Sequence, residues 1–252
     1  MTAVTALANI AMSFVYLGYG TATLFDLKAG GWHDRTRRQF GLAFLAIMFT
    51  CGPHHIDHGI HLLATEVQAG ALDLVVVLLG LAPGVVWFGL RVEAILGGPG
   101  DRLIIGTPRW LSLLPILGGA YLVAMVAAVT HLVRDVGFGA ATIPNLVVMV
   151  LYLFVSATLI ATQLRNFEAS GRWSTSGLAL ASIFATCALM HLVYAGYNST
   201  GQYVDDGHVF AIDVLSVPGA AYFLWLVVGV HRGQIGRNVA VPAAVAPAAA
   251  RL

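Results

Sequence analysis

The chain has only two cysteines, and each stands four residues before a histidine: Cys51 before His55 in Thr50-Cys51-Gly52-Pro53-His54-His55, and Cys187 before His191 in Thr186-Cys187-Ala188-Leu189-Met190-His191. Residues four apart lie on one face of a helix, so each pair makes a clamp of one thiolate and one imidazole. Two such clamps facing each other close a four-ligand metal site. Sulfur and imidazole donors suit Cu(I) or Zn(II), whereas Mg(II) and Ca(II) ask for oxygen. Two thiolates leave one net negative charge around Cu(I) and none around Zn(II), so charge favours zinc and softness favours copper. A disulfide is the competing use of two cysteines, but both fall inside apolar stretches, where a free thiol or a ligand is the expected state.

The elements that must carry these clamps are membrane helices. Hydrophobic residues are 58 % of the 252-residue chain and charged residues only 10 %, and the mean hydropathy is +0.83, values that exclude an ordinary soluble domain. Seven stretches of spanning length run from about Ala3 to Phe25, Gly41 to Leu63, Leu72 to Val92, Trp110 to Val133, Ile143 to Leu164, Gly177 to Tyr197 and Val209 to Val230. Lysine and arginine fall on one side of these spans, with Arg134 alone on the other, which predicts an outside N-terminus and a cytoplasmic C-terminus. The expected class is therefore an all-α polytopic membrane protein in the cell (plasma) membrane. Its single domain covers 1–232, and 233–252, rich in Ala, Pro and Val, is expected to be a disordered cytoplasmic tail.

Sliding the chain by 136 residues aligns Asn9 with Asn145, Tyr16 with Tyr152, Gly41-Leu42-Ala43 with Gly177-Leu178-Ala179, Thr50-Cys51 with Thr186-Cys187 and His55 with His191. A one-residue slip then aligns Pro83-Gly84 with Pro218-Gly219. Lipid solvation alone selects none of Asn, Tyr, Cys and His. The pattern predicts a 3+1+3 parallel internal repeat, with repeat 1 over about 3–92, a connector helix over about 110–133 and repeat 2 over about 143–230. The second and sixth spans should then meet near the axis relating the two halves.

The second span also carries His54, Asp57, His58 and His61 in its outer half. Ionisable groups at membrane depth should face the bundle interior and are functional candidates. His54, His58 and His61, with His131 at the end of the fourth span, are possible additional metal ligands or a relay. Asp57 lies one turn from His61 and can orient an imidazole from behind. His208 and Asp213 open the last span. Pro53 removes a backbone hydrogen bond inside the second span and should kink it.

The half-repeat resembles the three-helix transmembrane sensor of the ethylene receptors, whose second helix carries Cys-Gly-x-x-His and binds copper; this chain has Cys51-Gly52-Pro53-His54-His55. That family carries an acidic residue seven positions before a tyrosine in its first helix, and Asn9 with Tyr16, and Asn145 with Tyr152, keep the spacing. The resemblance implies a Cu(I) cofactor, with these two tyrosines and two asparagines near the site. In that family the site is shared across a homodimer, and a tandem copy is a single-chain version of it. Asparagine replaces the acidic residue in both halves, and the second half keeps only the Cys and the His. Copper binding is therefore the expectation, with a small molecule sensed at the metal as its extension.

With no soluble output domain, the protein is expected to be non-enzymatic, and any intracellular response requires a signalling partner protein. Lipid is its main partner, and no nucleic acid is expected. The alternatives are a b-type haem electron-transfer protein, with His55 and His191 or His58 and His131 as axial ligands, and a small-solute or metal transporter of 3+1+3 architecture. A di-iron oxygenase needs several histidine boxes, of which His54-His55-x-x-His58 supplies one. A retinal protein needs a lysine in the last span, and the only lysine is Lys28.

Overall fold

The computed structural model describes residues 1–137, 139–203 and 207–235, the side chains of 207–209 excepted. Most of the tail expected from 233 onward, and the His208 side chain, lie outside these. The described chain is helical apart from one two-stranded ribbon: α1 (Thr2–Asp26), α2 (Arg35–Ala64), α3 (Ala71–Ile95), β1 (Leu103–Ile105), α4 (Arg109–Ser112), α5 (Leu114–His131), α6 (Ile143–Ser170), β2 (Arg172–Ser174), α7 (Thr175–Ser199) and α8 (Gly207–His231).

Six helices are long and apolar enough to cross a membrane: α1, α3, α5, α6, α7 and α8, the first, third and fourth of these extended by short turns at their ends. By that length and composition the chain is a membrane protein. α2 is 30 residues long but stands outside this set, because three arginines occupy its start and a histidine-rich stretch its second half. Its polar side chains point inward. Cys51, His54, His55 and His58 are buried, while Leu42, Phe49, Ile60 and Leu63 are exposed.

Local chemistry sets the helix limits. Asp34 caps α2, its carboxylate accepting from the Thr36 and Arg37 backbone N–H groups at 2.8 and 3.0 Å, and Ser174 caps α7 by accepting from Gly177 N at 3.0 Å. The expected continuous span from Trp110 is broken into α4 and α5, because Pro115 in the first turn of α5 lacks the N–H that would continue the earlier helix. α2 runs on as helix through Pro53. Gly171, at φ 65°, ends α6 in the left-handed conformation that a β-carbon disfavours. It leads into β2, which pairs antiparallel with β1 through Ile104 and Trp173. Asp101 completes that junction by accepting from Ser174 Oγ at 2.6 Å and Ser176 N at 2.8 Å.

α1 packs against α2 and α3, α6 packs against α7 and α8, and the two sets are joined by α3 on α7 and α2 on α8. α2 and α7 face each other at the centre through their side chains. Their main backbone neighbours across the interface are α8 and α3, and side chains fill the space between them, with His54 stacked on Tyr194 at 3.9 Å between ring centroids. α5 lies to one side against α7, tied by the Tyr121 hydroxyl donating to Ala185 O at 2.7 Å. Its outer face of Ile116, Leu117, Leu122, Val123 and Val126 is exposed.

Candidate metal centre

Cys51 and His55 on α2, and Cys187 and His191 on α7, all line one cavity of about 10 Å³, room for a single ion or water. Three further side chains complete the wall: His54, Met190 and Tyr194. His54 and Met190 are themselves 136 residues apart, each directly preceding a clamp histidine. Both cysteines are free and buried, so neither is spent in a disulfide.

The imidazoles are fixed from behind. His55 Nδ1 lies 2.7 Å from Asn9 Oδ1, and His191 Nδ1 lies 2.6 Å from Asn145 Oδ1. The amides have one orientation available: Asn9 Nδ2 donates to Thr5 O at 3.0 Å, and Asn145 Nδ2 donates to Asp213 Oδ2. Each Oδ1 therefore accepts, each Nδ1 carries the proton, and each Nε2 keeps its lone pair free for a metal. This arrangement is how proteins orient metal-binding imidazoles. Asn9 and Asn145 are 0 % exposed, and in a lipid-surrounded interior these bonds have no water to replace them.

The thiols are held across the interface. Tyr16 OH on α1 lies 3.0 Å from Cys187 Sγ, and Tyr152 OH on α6 lies 3.3 Å from Cys51 Sγ. Each cysteine thus takes its histidine from its own helix and its tyrosine from the other set of helices.

The outer histidines separate into different roles. His58 has both ring nitrogens engaged, with Tyr203 OH at 2.6 Å from Nδ1 and Asp73 Oδ2 at 2.9 Å from Nε2, and Tyr197 OH donates to the same Asp73 oxygen at 3.0 Å. It is part of a buried hydrogen-bond chain with no lone pair left for a metal. His61 is half-buried with Nε2 on Gln202 O at 3.1 Å. His131 is exposed on α5 and pairs with Asp135 at 2.7 Å, so it does not belong with the cavity. Asp57 is half-buried on α2 and outside the cavity wall. A haem between His55 and His191 would have to force the helices apart, and His58 and His131 are otherwise engaged.

His54 was grouped with the outer histidines by sequence, yet it borders the cavity. Neither of its ring nitrogens makes a hydrogen bond, and Asp213 Oδ1, 3.2 Å from Nδ1 without hydrogen-bond geometry, is also unsatisfied. Both residues are nearly inaccessible, at 2 % and 1 % exposure. An unpaired polar atom buried this way costs about 1–3 kcal/mol, so these atoms point to a missing partner. His54, His191 and Asp213 each offer a ligand atom, all within 4.8 Å of one another. The signal for them was present in the sequence: a carboxylate inside an apolar span, and a potential donor directly before each clamp histidine.

No protein-family model matches this chain, and neither does any curated protein or solved structure.

Proposed function

We propose that this chain is an integral membrane metal-binding protein that holds Cu(I) between α2 and α7, with Cys51, His55, Cys187 and His191 as ligands. The observation that carries this reading is that all four line one ion-sized cavity; of the four, His191 alone also belongs to a group of three potential ligand atoms within 4.8 Å of one another, so metal binding would draw the two clamps closer together. The donor set is soft: two thiols, two imidazole Nε2 atoms and the Met190 thioether beside them, a chemistry that favours Cu(I) over harder cations. A thiolate in such a dry site needs a cation beside it, and bound metal supplies that charge. A small ligand would bind at the metal and be sensed there, with the response passed to a protein partner.

In this reading α2 is the seventh span, supported by its inward polar and outward apolar faces. The arginine distribution gives the sidedness, with the N-terminus outside, in the plasma membrane. The matched pairs Asn9/Asn145, Tyr16/Tyr152, Cys51/Cys187 and His55/His191 make equivalent contacts, which supports a duplicated three-helix unit related to the ethylene-receptor sensor and fused into one chain.

One observation favours a second metal reading. His54, His191 and Asp213 form a nitrogen- and oxygen-donor triad with unsatisfied atoms, the set that Zn(II) accepts when thiolates take no part. Metal analysis by mass spectrometry of the purified protein, alongside the Cys51→Ser/Cys187→Ser and Asp213→Asn variants, separates the two. Copper near one per chain that is lost with the cysteines supports the first reading. Zinc lost with Asp213 and retained without the cysteines supports the second. Copper fully retained in the double cysteine variant would falsify the Cu(I) assignment.

A further inference from the structure

At the opposite end of the bundle from the histidine-rich half of α2, a much larger cavity of about 490 Å³ opens between the two sets of helices. Its volume lies in the range of sites that enclose a drug-sized organic molecule. Thr23 and Leu159 line it at positions 136 residues apart, and so do Phe44 and Leu180, so it sits on the same axis as the metal centre.

Its two walls are chemically unlike. On the α1–α3 side Tyr19, Phe44 and Trp87 form a cluster, with Trp87 centroids 4.1 Å from Tyr19 and 5.1 Å from Phe44. Arg91, one turn beyond Trp87, borders the cavity beside Tyr19. The opposite wall carries Leu159, Leu180 and Val227, with Phe223 and the hydroxyls of Thr162 and Ser176 beside them.

Charge decides what such a cavity takes. Arg37 and Asp26 at the mouth are paired with each other and cancel. Arg91 has no carboxylate partner among the described residues. A half-buried guanidinium facing a partly open, mainly apolar cleft is stabilised by an anion brought into that space.

We propose that this cavity is a binding site for an amphipathic organic anion, with a single acidic group on Arg91 and an aromatic or acyl body between the two walls. Acid-headed lipids from the membrane and aromatic acids from the aqueous phase share this chemistry. The site does not depend on the metal reading, because the two cavities share no lining residue.

Trp87 supplies the reporter. In nanodiscs of phosphatidylcholine alone, titration with 1-naphthylacetate should change tryptophan fluorescence saturably, and the signal should vanish in Trp87→Phe while calorimetry still detects binding. The neutral 1-naphthylacetamide and the Arg91→Gln variant should each bind at least tenfold more weakly. Leu180→Trp, which fills the cavity from the other wall without changing charge, should abolish binding, and a far-ultraviolet circular dichroism spectrum and melting temperature close to those of the parent protein report that each variant is folded. Displacement by oleate identifies the membrane as the source of ligand, and Arg91-dependent binding that oleate does not displace identifies the aqueous phase. Equal binding of acid and amide, an unchanged Arg91→Gln titration, or no saturable binding of the acid overturns the proposal.

Discussion

Tyr16 on α1 holds the thiol of Cys187 on α7 at 3.0 Å, a contact between residues 171 positions apart. Its counterpart joins Cys51 to Tyr152 at 3.3 Å. The crossing means that neither set of helices completes its own thiol environment. If the hydroxyl–sulfur contacts are real energetic links, they are specific to the crossed pairs. Tyr16→Phe should destabilise the protein by about 1 kcal/mol, and by less in the presence of Cys187→Ser than in the presence of Cys51→Ser. Thermal unfolding of the parent protein, the three single and the two double variants, read as double-mutant cycles, checks this. Equal coupling of Tyr16 to both cysteines would show that the contact has no energetic specificity.

The asparagines offer a sharper contrast. Asn9→Leu removes the acceptor of His55 Nδ1–H, whereas Asn145→Leu strips partners from both His191 and Asp213. Loss of an orienting group behind a metal-binding imidazole lowers metal affinity about 10- to 100-fold, and Asn145→Leu should fall at the larger end. Competition with a Cu(I) chelator gives both affinities. A larger loss at Asn9 than at Asn145 would show that the bond from Asn145 to Asp213 adds nothing to the orientation of His191.

Much of this centre could be read from spacing alone, because the four-residue interval and the 136-residue offset each encode a spatial relation that helices preserve. Asn9 and Tyr16 were found the same way, seven residues apart on one face of α1. Spacing does not reveal rotation about a helix axis. His54 looked like a member of the His58/His61 stripe, yet it stacks on Tyr194 and borders the cavity, and His58, read as a possible ligand, is consumed by Tyr203 and Asp73. Nor does a repeat specify which backbones pack most closely across its axis: α2 packs on α8 and α7 on α3, while α2 and α7 meet through the rings of His54, His191 and Tyr194. α2, expected as the second span, stands outside the six apolar helices, its hydropathy lowered by the same histidines that line the candidate site.

Close packing of α1 on α2 gives a prediction about stability rather than chemistry. A β-carbon at Gly59 would meet the Ala6 carbonyl oxygen and Ile10 Cγ1, each at 2.8 Å. The oxygen is backbone and cannot rotate away. At Gly52 the obstacle is the Leu17 side chain at 2.9 Å, which can adjust. Gly59→Ala should therefore cost about 1–3 kcal/mol through overpacking and Gly52→Ala less. Melting temperatures in a common detergent rank the two, and the reverse order would mean that α1 shifts on α2 more easily than the contact suggests.

His58 provides the test that separates a structural histidine from a ligand. It ties α2 to α3 through Asp73 and to the segment after α7 through Tyr203, with every polar atom of its ring occupied. Removing it leaves Asp73 buried at 1 % exposure with its imidazole partner gone, and a buried polar group deprived of its partner costs about 1–3 kcal/mol. His58→Phe should thus lower stability strongly while the protein that remains folded keeps its full complement of metal. His55→Phe should do the opposite: its neighbour Asn9 still bonds to Thr5, so stability falls less, but metal is lost. Measuring metal per folded chain and unfolding temperature on the same two preparations puts the distinction to the test. Metal loss in His58→Phe at unchanged stability would return His58 to the ligand set and require Tyr203 and Asp73 to give it up when metal binds.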